Sequence, residues 1–173
     1  MNIETLKNEL PEYAKDIKLN LSSLSNIQSL NEQQLYGTML ASALAAGNQQ
    51  TIDAISETAK EHLDEAAITA AHAANSLMGM TNIYYRFIHL VDNDEYKKLP
   101  ANLRMNFMAN PGIDKADFEL YSLAVSAITG CGLCIDSHEK GLRKHGLTAE
   151  QVQQGIRIAA IIHAVAKTIS AQR

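Results

Sequence analysis

The residue pattern is helical along nearly the whole chain, and this restricts the fold more than any other feature. Ala, Leu, Glu, Lys, Gln and Met dominate the periodic segments, and no stretch of five or more residues alternates as a half-buried strand would. At 173 residues the chain is long enough for one sizeable hydrophobic core, and no repeat, low-complexity segment or linker divides it. The sequence therefore predicts an all-α fold with a single domain over residues 1–173.

Capping residues, glycines and prolines predict where the helices begin and end. Asp64 and Asp114 are suited to the start of a helix, Gly47 and Gly146 to the end of one, and Gly79 is a candidate bend. Thr148 and Gln151 form a T-x-x-Q capping box. The predicted helices cover about 12–22, 32–46, 50–62, 65–91, 103–108, 115–128, 131–146 and 149–170.

Charge and hydropathy exclude several classes of partner. The net charge is −4, and no basic run or interleaving of basic and aromatic residues suggests binding to nucleic acid or to an anionic membrane. The N-terminal segment is polar, and the longest apolar run, 158–166, is too short to span a bilayer. The cytoplasm is therefore the expected compartment. Since cytoplasmic thiols are kept reduced, a pair of cysteines there is expected to be catalytic or metal-binding.

The segment GCGLCIDSHEKGLRKHG, residues 130–146, contains the chemistry-bearing residues of this chain. Cys131 and Cys134 are the only cysteines, and two histidines follow them closely. A haem attachment, a metal site and a redox-active dithiol all use such residues. Covalent haem attachment requires histidine directly after the second cysteine, where this chain has Ile135. The haem motif is thus excluded.

Zinc binding is disfavoured by the spacing of the four candidate ligands. Cys131, Cys134, His138 and His145 occupy relative positions 0, 3, 7 and 14, with no loop between them. On one helix the last position lies about 10 Å beyond the third, at a rise of ~1.5 Å per residue. Four ligands so arranged do not meet on one ion, and a three-ligand site is the weaker remaining metal hypothesis.

A dithiol that cycles with a disulfide fits the spacing of the cysteines best. Residues three apart on a helix are neighbours, and Gly132 eases the small adjustment that a disulfide needs. A positive helix N-terminus favours the thiolate of Cys131, whereas His138, one turn after Cys134, favours that of Cys134. The residues alone leave open which cysteine attacks.

Other polar and sulfur-containing residues are weaker candidates for a role in the chemistry. Glu119 lies in an apolar neighbourhood and reaches His138 only if the chain folds back at Thr129-Gly130; the alternative is a solvated carboxylate. His145 suits the end of a helix. The histidines of the apolar helices are expected to be core or interface residues: His72, His89 and His163. The methionines are expected to pack in the core: Met78, Met80, Met105 and Met108.

Glu119, Cys131-Gly-Leu-Cys134 and His138 together resemble the E…C-x-x-C-x-x-x-H pattern of the alkyl hydroperoxide reductase D (AhpD) family, within the carboxymuconolactone decarboxylase-like superfamily. The resemblance extends over essentially the whole chain. It includes the segments LPEYAKDIKLNLSS, LYGTMLASA, MGMTNIYYR, LRMNFMANPGI and FELYSLAVSAITGC.

This resemblance implies an all-α homo-oligomer, commonly a trimer, with an antioxidant role. The family passes electrons from dihydrolipoyl groups, carried by a lipoyl-bearing acyltransferase and regenerated by lipoamide dehydrogenase, to the peroxiredoxin AhpC, and reduces alkyl hydroperoxides weakly itself. By analogy, Cys134 attacks and forms a sulfenic acid or mixed disulfide. Cys131 is the proton donor and closes the disulfide, while His138 and Glu119 relay a proton. No bound cofactor or metal is implied.

One position departs from the family pattern. Well-known members carry a histidine just before the second cysteine, where this chain has Leu133, so His138 is expected to act alone. Two other functions remain as alternatives. One is a lactone decarboxylase of the same superfamily, in which the cysteines have no evident role. The other is a redox-responsive binding protein that oxidises once without turnover.

Overall fold

A computed structural model describes residues 2–172, which form nine α-helices and three short 3-10 helices, with no β-strand among them. The all-α prediction is thereby confirmed. The α-helices are α1 (Ile3–Asn8), α2 (Lys15–Ser23), α3 (Glu32–Ala46), α4 (Gln49–Lys60), α5 (Glu65–Leu90), α6 (Glu95–Lys98), α7 (Lys115–Thr129), α8 (Gly132–Lys144) and α9 (Ala149–Ser170). The 3-10 helices are Glu12–Ala14, Leu24–Asn26 and Asn106–Ala109.

Helices α3 and α7 form the centre of the structure. Helix α3 packs against α5, α7 and α9, and α7 in addition contacts α5, α8 and α9. Apolar and small residues occur on nearly every side of α7, as expected for a helix that is surrounded by others. The cysteine-bearing helix α8 packs on α7 and also contacts α5 and α9, which joins it to the core.

Close approach of α3 and α7 depends on a glycine opposite a large aromatic ring. A Cβ atom at Gly37 would overlap the ring and hydroxyl of Tyr121, which is fully buried. The Tyr121 hydroxyl donates a hydrogen bond of 2.7 Å to the backbone carbonyl of Gln33. The central helix pair is thus fixed by shape and by one directed polar contact.

Several predicted helix ends are confirmed. Helix α3 covers Glu32–Ala46 as predicted, with a capping box from Asn31 and a left-handed C-cap at Gly47. Asp64 and Asp114 accept hydrogen bonds from backbone amides at the starts of α5 and α7. The predicted capping box of Thr148 at the start of α9 is present as well.

Other details of the helix prediction are wrong. Pro11 precedes a 3-10 turn, and the α-helix begins only at Lys15. The single helix predicted over 65–91 is confirmed, by contrast: α5 runs through Gly79 without interruption, since one glycine in a long helix costs about 1 kcal/mol and leaves the hydrogen-bond ladder continuous. The helix expected over 103–108 is a 3-10 turn at Asn106–Ala109, and the short α1 and α6 were not predicted at all.

The expected core position is wrong for two of the histidines. His72 and His89 lie exposed on α5, whereas His163 on α9 is half-buried. A role of the exposed histidines in an interface stays a prediction. Within residues 2–172, no helix combines the length and the apolar character that crossing a bilayer requires.

Candidate active site

The turn between α7 and α8 brings the chemistry-bearing residues together. Gly130 ends α7 in the left-handed conformation, with φ of 72°, which a residue with a side chain adopts only at a cost. The backbone N–H groups of Gly130 and Cys131 both bond to the carbonyl of Ser126, at 3.0 and 3.2 Å. The chain therefore reverses at once, and α8 returns along α7.

Two side chains of α5 hold this turn from outside. Asn82 donates hydrogen bonds to the Thr129 hydroxyl at 2.7 Å and to the Ser126 hydroxyl at 3.1 Å. Arg86 donates to the Thr129 carbonyl at 2.7 Å. Because the carbonyls at the end of a helix have no partner within it, the Arg86 contact satisfies a carbonyl that would otherwise lack one.

Cys131 and Cys134 form a disulfide at the N-terminus of α8, with 5.3 Å between their Cα atoms. Cys131 is the N-cap residue of the helix, and its sulfur accepts a hydrogen bond of 3.3 Å from the backbone N–H of Cys134. Cys131 is fully buried, whereas Cys134 retains 6% exposure. A positive helix end and an N–H donor thus face the Cys131 sulfur, which stabilises negative charge there.

The side chains of His138 and Glu119 meet between α8 and α7. His138 Nδ1 lies 2.6 Å from Glu119 Oε2, and the imidazole is buried, while the carboxylate keeps 24% exposure. Gly141 lies over the carboxylate, where an added Cβ would come within 3.3 Å of Oε2. The chain does fold back at Thr129-Gly130 so that this carboxylate can orient the imidazole.

An apolar cavity of about 330 Å³ opens beside the disulfide. Cys134 and His138 reach its wall, whereas Cys131 does not. Leu133 stands at its edge with 38% exposure. The other lining residues are Met78, Thr81, Tyr85, Met105, Met108 and Ser137. A molecule that enters this cavity therefore lies beside Cys134 and His138.

One contact of the site was missed by the sequence reasoning. The methionine group was expected to serve packing, and Met78 is indeed buried in the core, but its sulfur also lies 3.2 Å from His138 Nε2. Met105 and Met108 line the cavity, and Met80 is exposed, so the prediction is wrong for Met80. No local spacing reveals a contact between residues 60 positions apart.

The described residues contain no cluster of three or more His, Cys, Asp or Glu side chains arranged to hold a metal ion. His145, a candidate ligand by sequence, is the exposed C-cap residue of α8. The two sulfur atoms are bonded to each other, and His138 is engaged by Glu119. The geometry thus joins Glu119, Cys131, Cys134 and His138 and leaves His145 outside.

Comparison with known proteins agrees with this geometry. Residues 94–173 match the model of the carboxymuconolactone decarboxylase family. Proteins named alkyl hydroperoxide reductase AhpD are similar over nearly the full chain. One from Maricaulis maris is 62% identical over 99% of both chains. One from Gluconacetobacter diazotrophicus is 57% identical over 98% of this chain and 93% of its own. One from Hyphomonas neptunium is 55% identical over 99% of this chain and 96% of its own. With that identity along almost its whole length, the chain belongs to the AhpD family.

Proposed function

We propose that this protein is a thiol oxidoreductase that takes electrons from a dihydrolipoyl group and passes them to an AhpC-type peroxiredoxin. It also reduces alkyl hydroperoxides slowly itself, acts in the cytoplasm and needs no bound cofactor. The names of its relatives support the peroxide-reducing role. The observation that carries the proposal is the Cys131–Cys134 disulfide, with Cys134 and His138 in the wall of one apolar cavity.

The oxidising half of the cycle begins with both thiols reduced. The Cys134 thiolate attacks one sulfur of the peroxiredoxin disulfide, and the other sulfur leaves as a thiolate and is protonated. Cys131 loses its proton and attacks Cys134, which releases the second peroxiredoxin thiol and forms the Cys131–Cys134 disulfide. Two electrons and two protons have then passed to the peroxiredoxin.

A hydroperoxide is reduced by a similar route, in which the Cys134 thiolate attacks an oxygen atom in place of a peroxiredoxin sulfur. The Cys134 thiolate attacks the terminal oxygen, the O–O bond breaks, and the alkoxide takes a proton and leaves as the alcohol. The resulting sulfenic acid on Cys134 condenses with Cys131, which releases water and forms the disulfide. The apolar lining of the cavity suits the alkyl part of such a substrate.

The reducing half of the cycle restores both thiols. A dihydrolipoyl thiolate attacks Cys134, since this sulfur faces the cavity, and Cys131 leaves as a thiolate at the N-terminus of α8. The second dihydrolipoyl sulfur then closes the lipoyl disulfide and releases the Cys134 thiolate. A lipoyl-bearing acyltransferase supplies the dihydrolipoyl group, and lipoamide dehydrogenase regenerates it.

His138 and Glu119 act on the proton of Cys134 in this scheme. The imidazole lies one helical turn after the cysteine and reaches the same cavity. It takes the proton of the Cys134 thiol and gives it to the departing group, while the Glu119 carboxylate orients the ring and stabilises its charge. Cys131 serves as the resolving residue and proton donor.

A homo-oligomer, a trimer or higher, is part of the proposal. Large apolar side chains lie exposed along one face of the C-terminal half of α5. Ile83, Phe87 and Leu90 are 57%, 48% and 72% exposed at helical spacing. They form a shallow groove with Arg86 and Val91. Such a face is more apolar than a free surface helix, which supports contact with further copies of the chain.

The test is peroxide-dependent NADH oxidation with lipoamide, lipoamide dehydrogenase and an AhpC-type peroxiredoxin. Wild type is expected to turn over, Cys131→Ser and Cys134→Ser to be inactive, and His138→Ala to be slower. His145→Ala is the matched control, since this histidine is exposed on the same helix outside the site. In Cys131→Ser, a mixed disulfide with the peroxiredoxin is expected to accumulate on Cys134.

Two results would replace this function with another. One stoichiometric oxidation of both thiols without turnover, with every donor tried, would indicate a redox-responsive binding protein. Release of carbon dioxide from a carboxymuconolactone, retained in both cysteine variants, would indicate a decarboxylase.

A further inference from the structure

Three methionine side chains form part of the wall of the cavity beside the disulfide. Met78, Met105 and Met108 line it together with Cys134 and His138. Met78 is buried in the core and only 2% exposed, whereas Met105 and Met108 are half-buried. Of the three methionines, Met105 and Met108 are therefore the more accessible to a molecule that enters the cavity.

The 3-10 turn at Asn106–Ala109 brings Met105 and Met108 to the same side of their segment. The backbone N–H of Met108 donates a hydrogen bond of 3.1 Å to the Met105 carbonyl, and side chains three apart in such a turn lie over each other. Phe107, between them in the chain, packs against the buried ring of Phe118 on α7, with 5.9 Å between ring centroids. The segment is thus anchored to the core by Phe107, while the two methionines on either side of it line the cavity.

A thioether is a polarizable sulfur that a hydroperoxide oxidises to the sulfoxide. The terminal oxygen of the hydroperoxide bonds to the sulfur, the O–O bond breaks, and the proton of the hydroperoxide passes to the alkoxide, which leaves as the alcohol. The sulfur loses two electrons and the hydroperoxide gains them. The reaction therefore needs no reactant other than the hydroperoxide and the methionine.

The redox state of the cysteines determines which sulfur the hydroperoxide oxidises. In the dithiol state the Cys134 thiolate is a stronger nucleophile than a thioether and reacts first. In the disulfide state Cys131 and Cys134 are bonded to each other, so neither offers a thiolate. A hydroperoxide that enters the cavity at this stage lies beside the thioethers of Met105 and Met108 instead.

We propose that Met105 and Met108 form a modification site, at which an alkyl hydroperoxide held in the cavity oxidises the thioethers to sulfoxides while the disulfide is closed. This proposal rests on the proposed function, in which such a hydroperoxide is a substrate. Each sulfoxide places a polar group in an apolar wall, so the cavity binds the next alkyl hydroperoxide more weakly. Reduction of the disulfide restores the thiols and leaves the sulfoxides in place.

The first test maps sulfoxides in the disulfide form of the whole chain. Met80 is the internal reference, because it is 37% exposed on α5 and lies outside the cavity wall. The protein is treated with cumene hydroperoxide or with hydrogen peroxide, and the sulfoxide at each methionine is measured by peptide mass spectrometry. We expect the ratio of sulfoxide at Met105 and Met108 to sulfoxide at Met80 to be about three- to tenfold higher with cumene hydroperoxide, since only this apolar reagent concentrates in the cavity. An equal or lower ratio would overturn the proposal.

A competition experiment tests where the reaction takes place. The alcohol 2-phenyl-2-propanol has the shape of cumene hydroperoxide without the oxidising oxygen. In excess over the hydroperoxide, it is expected to slow sulfoxide formation at Met105 and Met108 and to leave Met80 unaffected. Sulfoxide formation that is slowed equally at all three methionines, or at none of them, would show that the cavity does not hold the oxidant.

Variants test the effect of the modification on the dithiol. The double variant Met105→Leu/Met108→Leu removes both sulfurs with little change in volume, and Met80→Leu is the control at the surface. Each protein is treated with cumene hydroperoxide and reduced with dithiothreitol. The rate at which its dithiol then reacts with fresh cumene hydroperoxide is compared with that of the same protein before treatment.

We expect treatment to slow wild type and Met80→Leu about three- to tenfold and to leave the double variant at its own untreated rate. Equal slowing in the double variant would overturn the proposal, because the loss would then arise elsewhere. If the double variant fails to fold, the sulfoxide map of wild type decides. That map needs no turnover, so failure of the proposed function would be seen separately, as absence of turnover in untreated wild type.

Discussion

Glu119 and His138 are 19 positions apart and meet with 2.6 Å between carboxylate oxygen and imidazole nitrogen, because α8 folds back along α7. We expect Glu119→Gln, which keeps the shape and loses the charge, to reduce turnover in the coupled peroxide assay by about ten- to a hundredfold. Thermal unfolding serves as the control and should shift little, since the carboxylate is partly exposed. Turnover of Glu119→Gln at the wild-type rate would show that Glu119 has no part in the proton relay.

A substitution at Gly141 should disturb the contact between Glu119 and His138 without changing either residue. A Cβ atom there would come within 3.3 Å of the Glu119 carboxylate, so Gly141→Ala should displace that group from His138. We expect turnover to fall about tenfold, since small displacements of catalytic groups are costly.

Gly79→Ala is the matched control, because Gly79 is a helical glycine with open space around its Cα. Both changes favour the helical state by about 0.5–1 kcal/mol, so a fall in turnover confined to Gly141→Ala would not reflect helix stability. Equal turnover in Gly141→Ala and Gly79→Ala would contradict the prediction that a Cβ at Gly141 displaces the Glu119 carboxylate.

Tyr121 should make the protein less stable in alkali. Burial, with a smaller effect of Asp117, raises the pKa of Tyr121 well above its usual value near 10. Above about pH 10 the unfolded chain loses this proton while the folded chain keeps it, so the free energy of unfolding falls as the pH rises. Tyr121→Phe should therefore flatten this decline between about pH 10 and 11, as measured by urea unfolding.

Tyr121→Phe should be less stable than wild type at neutral pH. Removal of the hydroxyl leaves the Gln33 carbonyl without this partner, which costs about 1–2 kcal/mol. The two effects have opposite signs, so the difference in stability between wild type and variant should narrow as the pH rises. A constant difference at every pH would show that Tyr121 ionises as readily in the folded state as in the unfolded chain.

The exposed face of α5 leads to a prediction about assembly. We expect Phe87→Glu, at a position 48% exposed, to lower the oligomer mass measured by light scattering after size exclusion, because a carboxylate in an apolar interface is costly. Tyr13→Glu is the control, as Tyr13 is 77% exposed and lies before α2. An unchanged mass in Phe87→Glu would place the contact between copies elsewhere.

Short-range signals made part of this structure predictable. Gly47 and the capping box of Thr148 are signals that act within a few positions along the chain, and the helices that they end and begin were predicted with nearly correct bounds. The break at Gly130 likewise indicated that α8 could return along α7. The contact between Glu119 and His138 needed that return, so it was foreseen as one of two alternatives.

Other features of the site depend on packing between distant segments and could not be predicted from local sequence patterns. Met78 looked like any apolar residue of a helix, and only the crossing of α5 over α8 brings its sulfur to His138. The sequence also did not predict which of the two cysteines lines the cavity. Both lie in the same helical turn, and much of the cavity is formed by residues from other segments. The family resemblance supplied the roles proposed for the two cysteines, which the spacing had left open.

The burial of Cys131 has a consequence for kinetics. Of the two cysteines only Cys134 lines the cavity, so in the proposed cycle the electron donor and the electron acceptor both react at this residue through the same opening. The two substrates therefore exclude each other, and no complex holds both at once. Initial rates should follow a ping-pong scheme, with parallel double-reciprocal lines and with each substrate inhibiting competitively against the other at high concentration.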